Sequence, residues 1–268
     1  MTAQERQERD IPQAPGATPQ PEFGGSAEET EETEAIEAME EVEEVEEVQE
    51  IAEIPDAELP GRLLAVERDA LLPLLRSRDE ADFALRTACP GWTVRDVLAH
   101  CGAALTRVVD GRLEKGAFTP EANAKDVAER ADWPLERVLD EVERGMTDAG
   151  PVIAGAGGVL DGVALGEWVH GGDVREALGE PGAYGGAGLP YALLLLGRTA
   201  RRKKHLALHA DLDDQDEPLL LGTPSGDGPP ARYLGAAATL VRLYAGRPLV
   251  GTRYELVGAT EDELRIFG

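Results

Sequence analysis

The chain has 268 residues, room for one large domain or two smaller ones, and a net charge of -26. Residues 1–57 hold 19 acidic and two basic side chains, so -17 of that charge lies there and -9 in the rest. Such a field repels nucleic-acid backbones and anionic membranes, which argues against both as partners.

Taken in order, residues 1–57 are expected to form a disordered acidic tail. The run AIEAMEEVEEVEEVQEIAEI places its apolar residues at Ile36, Met39, Val42, Val45, Val48, Ile51 and Ile54. A step of three advances about 300° on a helix, so this line winds around the surface and buries no fixed face. The N-terminal MTAQERQERD lacks the apolar core of a signal peptide, and YALLLL at 191–196 is far too short to span a bilayer. Cys89 and Cys101 are too few for a disulfide scaffold and fit a reducing compartment. A soluble, cytoplasmic protein is expected.

A helical body is expected over 58–203. LPGRLLAVERDALLPLLRS carries apolar residues at helical spacing. The loop RDEADFALRTACPG leads to a second helix, for which Thr93 and Asp96 form a capping-box arrangement. Residues 112–131 read as a polar connection with at most a short helical turn. A third helix starts at DWPLERV, with Asp132 as cap, and runs through LDEVERGMTDAG before the break AGAGG at 154–158. In the next helix Leu160, Val163, Glu167, His170, Val174 and Leu178 fall on one stripe. Gly171 and Gly172 weaken it, or permit a neighbour's close approach. Pro190 opens a fifth helix, which RRKK ends.

Residues 204–268 read as a small α+β domain. HLALHADL and EPLLLG are expected strands, ARYLGAAATLVRLYAGR a helix closed by Gly246, and RYELVGA with DELRIFG a hairpin around ATED. The fold class is thus mainly α: an up-down four-helix bundle followed by a small α+β domain.

The chemistry gathers on the stripe. Ionisable groups on a buried face are costly unless paired or metal-bound. Glu167 and His170 lie one turn apart, and His100 on the second helix can face them across a bundle. His100, Glu167 and His170 would give a divalent metal, most simply zinc, three ligands and leave a place for water or substrate. Asp173, one turn beyond His170, can orient its ring from behind. Arg95 and Arg175 are candidate anion contacts for a carboxylate-bearing substrate or cofactor, and equally surface ion-pair partners. Cys89 and Cys101 read as plain residues.

Three stretches, CPGWTVRDVLAHC at 89–101, EWVHGGDVREALG at 167–179 and LVRLYAGRP at 240–248, resemble the mycothiol-dependent maleylpyruvate isomerase family. The resemblance implies a DinB-like metal-binding bundle joined to a small C-terminal domain. It also implies mycothiol as the thiol cofactor, and His100 and His170 as metal ligands. The family's pattern has a glutamate four residues before the second histidine. Here that position is Gly166, and Glu167 is one residue late.

The expected function is therefore a metal- and mycothiol-dependent isomerase or thiol transferase, taking a small-molecule substrate and a low-molecular-weight thiol. The alternative is a non-enzymatic metal-binding regulatory or interaction module, with the acidic tail as its partner-facing part.

Overall fold

Apolar residues at helical spacing build the first helix of the computed structural model, α1 (Leu59–Arg76), which buries Leu63, Leu64, Leu71, Leu72 and Leu75. The structure describes residues 56–224 and 228–267. The expected acidic tail, but for positions 56 and 57, lies outside the described residues.

The second helix, α2 (Val94–Val109), starts with the expected reciprocal cap. Thr93 Oγ1 accepts from the Asp96 amide, and Asp96 accepts from the Thr93 amide at 2.9 Å. The stretch read as a polar connection instead holds an 11-residue helix, α3 (Pro120–Arg130), capped by Thr119. Its buried side chains are Asp126 and Arg130. Asp126 meets Arg107 at 2.5 Å, and Arg130 meets Glu141 at 2.5 Å. Ion pairs fasten this helix, so no apolar period announces it.

Next comes α4 (Leu135–Gly155), whose cap position is Pro134 and not Asp132. It continues through Pro151 beyond the expected end, because Ile153 is fully buried and holds the extra turn in the core. The chain then enters α5 (Asp161–Ala177). The expected single stripe is too narrow a description: Ala164, Leu165, Glu167, Trp168, Val169, Asp173 and Val174 are all buried. The helix packs on α1, α2 and α4, and on α6 (Leu189–Arg202), which covers its remaining side. A helix walled in this way loses its one-sided pattern. The bundle consists of α1, α2, α4 and α5. Among the described residues no helix is long and apolar enough to cross a membrane.

The C-terminal region forms a four-stranded sheet of β1 (Leu208–Leu212), β2 (Leu219–Leu221), β3 (Ala231–Gly235) and β4 (Tyr254–Val257), in the order β2-β1-β3-β4. The outer pairs are antiparallel, and β1 runs parallel to β3 from Leu208 opposite Ala231 to Leu212 opposite Gly235. Two expectations change here. ARYLG is a strand and not the start of a helix: Ala231, Tyr233 and Gly235 face inward in alternation. The helix proper, α7, spans Ala237–Tyr244. DELRIFG is not a hairpin strand, because Thr260 and Glu263 form a capping box that starts a short helix, α8 (Glu261–Leu264). Overall the protein is mainly α-helical, a DinB-like helical core with a small β/α region at its C-terminus.

Candidate metal centre

The site begins in the loop before α2. Trp92 donates its amide to the Cys89 carbonyl at 3.2 Å, and Gly91 between them has φ of +82°. Pro90 followed by a glycine at positive φ makes this a type II turn, with each residue type where the turn requires it. Thr87 tightens the loop, donating its amide to the Trp92 carbonyl at 3.1 Å and accepting from the Cys89 amide at 3.2 Å. The turn brings Trp92 against His100 of α2, ring centroids 5.0 Å apart, and 6.3 Å from His170 of α5. The two imidazoles meet edge to face with centroids 5.2 Å apart.

On α5, His170 and Asp173 are one turn apart, and Nδ1 of His170 lies 3.1 Å from Oδ2 of Asp173. Asp173 is fully buried and accepts four hydrogen bonds. Arg247 supplies two, to Oδ1 and Oδ2 at 2.7 Å each. Tyr184 adds one to Oδ1 at 2.7 Å, and His170 the fourth. Facing a carboxylate, Nδ1 of His170 carries a proton, so in the neutral ring Nε2 is the lone-pair donor. The pair Gly171-Gly172 makes room for neighbours. A Cβ at Gly171 would collide with the Glu67 carboxyl, and one at Gly172 with the Tyr184 ring.

Burial dominates the electrostatics. It holds His100 down at about 3, with the charges of His170, Arg107 and Arg130 acting the same way, so this ring is neutral near pH 7. Its Nδ1 is buried without a hydrogen-bond partner. Burial lifts Glu167 to about 7, against the opposing His170 charge and a hydrogen bond from the Cys101 thiol. Burial would also raise Asp173, but the hydrogen bonds and charges of His170 and Arg247 hold it below the usual carboxylate range. The Cys89 thiol is raised by burial, with the Arg247 charge opposing.

Of the residues singled out in the sequence, the structure brings His100, His170 and Asp173 together. Glu167 lies on the same helix with its carboxyl engaged by Cys101 and Oε2 unpartnered. Arg95 lies elsewhere, donating to the carbonyls of Arg130 at 3.4 Å and Ala131 at 3.2 Å, and to that of Trp133. Arg175 is paired with buried Glu67 at 2.5 Å and donates to the Ala183 carbonyl at 2.8 Å. Sequence reasoning passed over Tyr184 and Arg247, and read Cys89 as a plain residue. One ligand atom each from Cys89, His170 and Asp173 lies within 4.8 Å of the others, a cluster that could hold a metal ion. Cys89 was visible as the first residue of a Pro-Gly turn. Arg247 lies in the LVRLYAGRP stretch at 240–248, but nothing local ties it to Asp173, 74 residues away.

Fold and cluster define a helical-bundle protein with a histidine pair, one ring buried and one half-buried, and a Cys/His/Asp group that could hold a metal. Residues 64–157 match the family model of the mycothiol maleylpyruvate isomerase N-terminal domain. The crystal structure of a mycothiol-dependent maleylpyruvate isomerase superposes with a TM-score of 0.50 at 16% identity, covering 76% of this chain and 95% of that one. A histidine-to-alanine mutant of that isomerase superposes with the same TM-score and coverage at 17% identity. At such identity the likeness is one of fold. A comparison with curated proteins finds no match.

Proposed function

We propose that the protein is a metal-dependent, mycothiol-dependent isomerase or thiol transferase acting on a small electrophilic substrate, with His100 and His170 holding the metal. The observation that carries this reading is the histidine pair, 5.2 Å between ring centroids, contributed by two helices of the bundle. Two imidazoles bound to one zinc at about 2.1 Å have centroids on the order of 5 Å apart, so the spacing of the rings is compatible with a shared ion. His100 is neutral, and its buried Nδ1 lacks a partner. His170 has its outer nitrogen freed by the bond to Asp173. The neutral ring of His100 is in the state a metal requires.

A divalent ion bound here lowers the pKa of a thiol and presents it as the thiolate, the reactive form. The protein's residues do the rest. Asp173 keeps the proton on Nδ1 of His170 and fixes the ring. Arg247 neutralises Asp173, so the carboxylate can stay buried without drawing the proton away. Trp92 packs beside both imidazoles and shields them from water. Glu167, with a carboxyl poised at about 7, can hold or release a proton on the inner side of the site.

A second reading, a non-enzymatic metal-binding regulatory or interaction module, draws on one observation. Gly166 stands where the family's pattern places a carboxylate ligand. Elemental analysis and thiol titration separate the two. Metal should co-purify with the wild type and vanish in His100→Ala and His170→Ala. Adding mycothiol to metal-loaded protein should give the ultraviolet difference absorption of a thiolate near pH 7, below the usual thiol titration near 8.5. Metal without a thiolate signal or turnover selects the second reading. Full metal occupancy in the double-alanine variant would mean that the His100 and His170 site is wrong.

A further inference from the structure

We propose that Tyr184 is a positioning residue for His170: its hydroxyl, acting through Asp173, leaves the imidazole a single acceptor and so fixes the ring. The inference rests on the functional reading above for the ion that His170 would hold. The hold on the ring itself is a property of the metal-free protein.

An ionised carboxylate has about four lone-pair positions, two on each oxygen. In Asp173, Arg247 occupies one on each, Nε on Oδ1 and Nη2 on Oδ2. The Tyr184 hydroxyl takes the second position on Oδ1 at 2.7 Å. One position is left, on Oδ2, and Nδ1 of His170 lies there at 3.1 Å. Asp173 is fully buried, so solvent does not compete for it. Without the hydroxyl the carboxylate would have two open positions, one on each oxygen. An unfilled buried acceptor is costly, so the ring would rock to share the two or water would enter. Arg247 keeps the carboxylate charged and in plane. Tyr184 makes its remaining face one-sided.

The loop between α5 and α6 is built to deliver this hydroxyl. Its Ala183 carbonyl accepts from Nε of Arg175 at 2.8 Å, and Arg175 is itself tied to buried Glu67. The Gly185 amide donates to the Gly182 carbonyl at 2.9 Å, closing a turn around Tyr184. Gly172 of α5 leaves the space that the ring fills, since a Cβ there would strike it. Over the ring stands the Arg242 guanidinium, 5.2 Å from its centroid, which also meets Glu176 of α5 at 3.1 Å. Tyr184 is 3% exposed. A phenylalanine would fill the same space, so packing alone does not call for the hydroxyl. A buried phenol needs a partner, and the partner here is the carboxylate that holds His170.

Proton NMR of the metal-free protein reads the Nδ1–H of His170 directly. The chain has four histidines, and the signal missing from His170→Ala identifies the ring. In the wild type that proton should exchange slowly with solvent. Tyr184→Phe keeps the ring and removes only the hydroxyl. It should lose the slow exchange at Nδ1–H while the backbone amides of α5 keep theirs. A merely structural hydroxyl would change both together or neither. The same variant should bind zinc more weakly by roughly tenfold, the scale of outer partners of a metal site. Gly172→Ala retains the hydroxyl but pushes the ring aside, and should reproduce the exchange result, which decides the matter if Tyr184→Phe fails to fold. A wild type without a slowly exchanging Nδ1–H, a folded Tyr184→Phe that keeps it, or zinc bound equally tightly by wild type and variant overturns the proposal. The two readouts keep the ideas apart. If slow exchange is lost in Tyr184→Phe but even the wild type binds no zinc, the positioning of His170 stands and the metal reading is wrong. If both proteins bind zinc and both keep slow exchange, the metal reading stands and the role of Tyr184 is wrong.

Discussion

His100 and Glu167 are buried groups whose protonation runs in opposite directions, and this gives the metal-free protein an unusual pH profile. His100 titrates near 6.5 when unfolded and about 3 when folded. Between those values the unfolded chain binds the extra proton, so stability rises with pH, by at most about 1.4 kcal/mol per unit. Glu167 moves from 4.5 to about 7 on folding. There the folded state binds the extra proton, so stability falls as pH rises through that window. The two slopes oppose each other between 4.5 and 6.5. Urea midpoints of metal-free protein should therefore change little across that interval and drop below it, where His100 acts without opposition. Glu167→Gln should remove the opposing slope and leave stability climbing with pH from 4.5 to 6.5. A flat profile in that variant would mean that His100 is not held neutral by burial.

At the scale of the element, α5 shows why part of the site was legible and part was not. The apolar period identified a helix, and the carboxylate and imidazoles on a face that had to be buried pointed to chemistry. What the period could not show is that the helix is walled on several sides, because burial of Gly171, Gly172 and Trp168 leaves no contrast between faces. The capping box at Thr93 was equally readable, since its signal lies within four residues. The helix over 120–130 was not, since its buried residues are charged and their partners lie at Arg107 and Glu141. The two helical glycines make a test of packing over propensity. On propensity alone Gly171→Ala should stabilise α5 by about 1 kcal/mol. The new methyl would run into the carboxyl of Glu67, which is itself held by Arg175. Overpacking of this kind typically costs about 1–3 kcal/mol, so the net expectation is destabilisation, read as a lower urea midpoint. A stabilised Gly171→Ala would show that Glu67 is free to swing aside.

Across the whole molecule, charge is unevenly spread along the chain. Residues 1–57 carry -17 of the net -26, while Asp56–Gly268 form one compact unit with a core of their own. Removing residues 1–55 should leave a body that melts cooperatively, with the difference from full length shrinking as salt screens the charge. Loss of a cooperative transition would mean that the body depends on that segment. At the other end, the region 204–268 holds neither His100 nor His170, and its sequence suggests a structural or pocket-closing role. The structure gives it a more direct part, because Arg247 reaches from just past α7 to clamp Asp173 on α5 with two hydrogen bonds. The pair is nearly dry, with the Asp173 side chain 0% exposed and that of Arg247 12%. Removing one member strands the other charge, which typically costs about 3–5 kcal/mol. Arg247→Met keeps the volume and loses the charge. It should destabilise the protein on that scale, and should also weaken metal binding by roughly 10- to 100-fold although it removes no ligand, because Asp173 no longer holds the His170 ring as an undisturbed carboxylate. Asp173→Asn combined with Arg247→Met leaves no stranded charge. A double-mutant cycle should then recover much of the lost stability and none of the lost metal affinity, since His170 still lacks its carboxylate. Recovery of both together would mean that Arg247 and Asp173 serve the fold alone. If Arg247→Met leaves metal affinity untouched, the C-terminal region closes the site without tuning it.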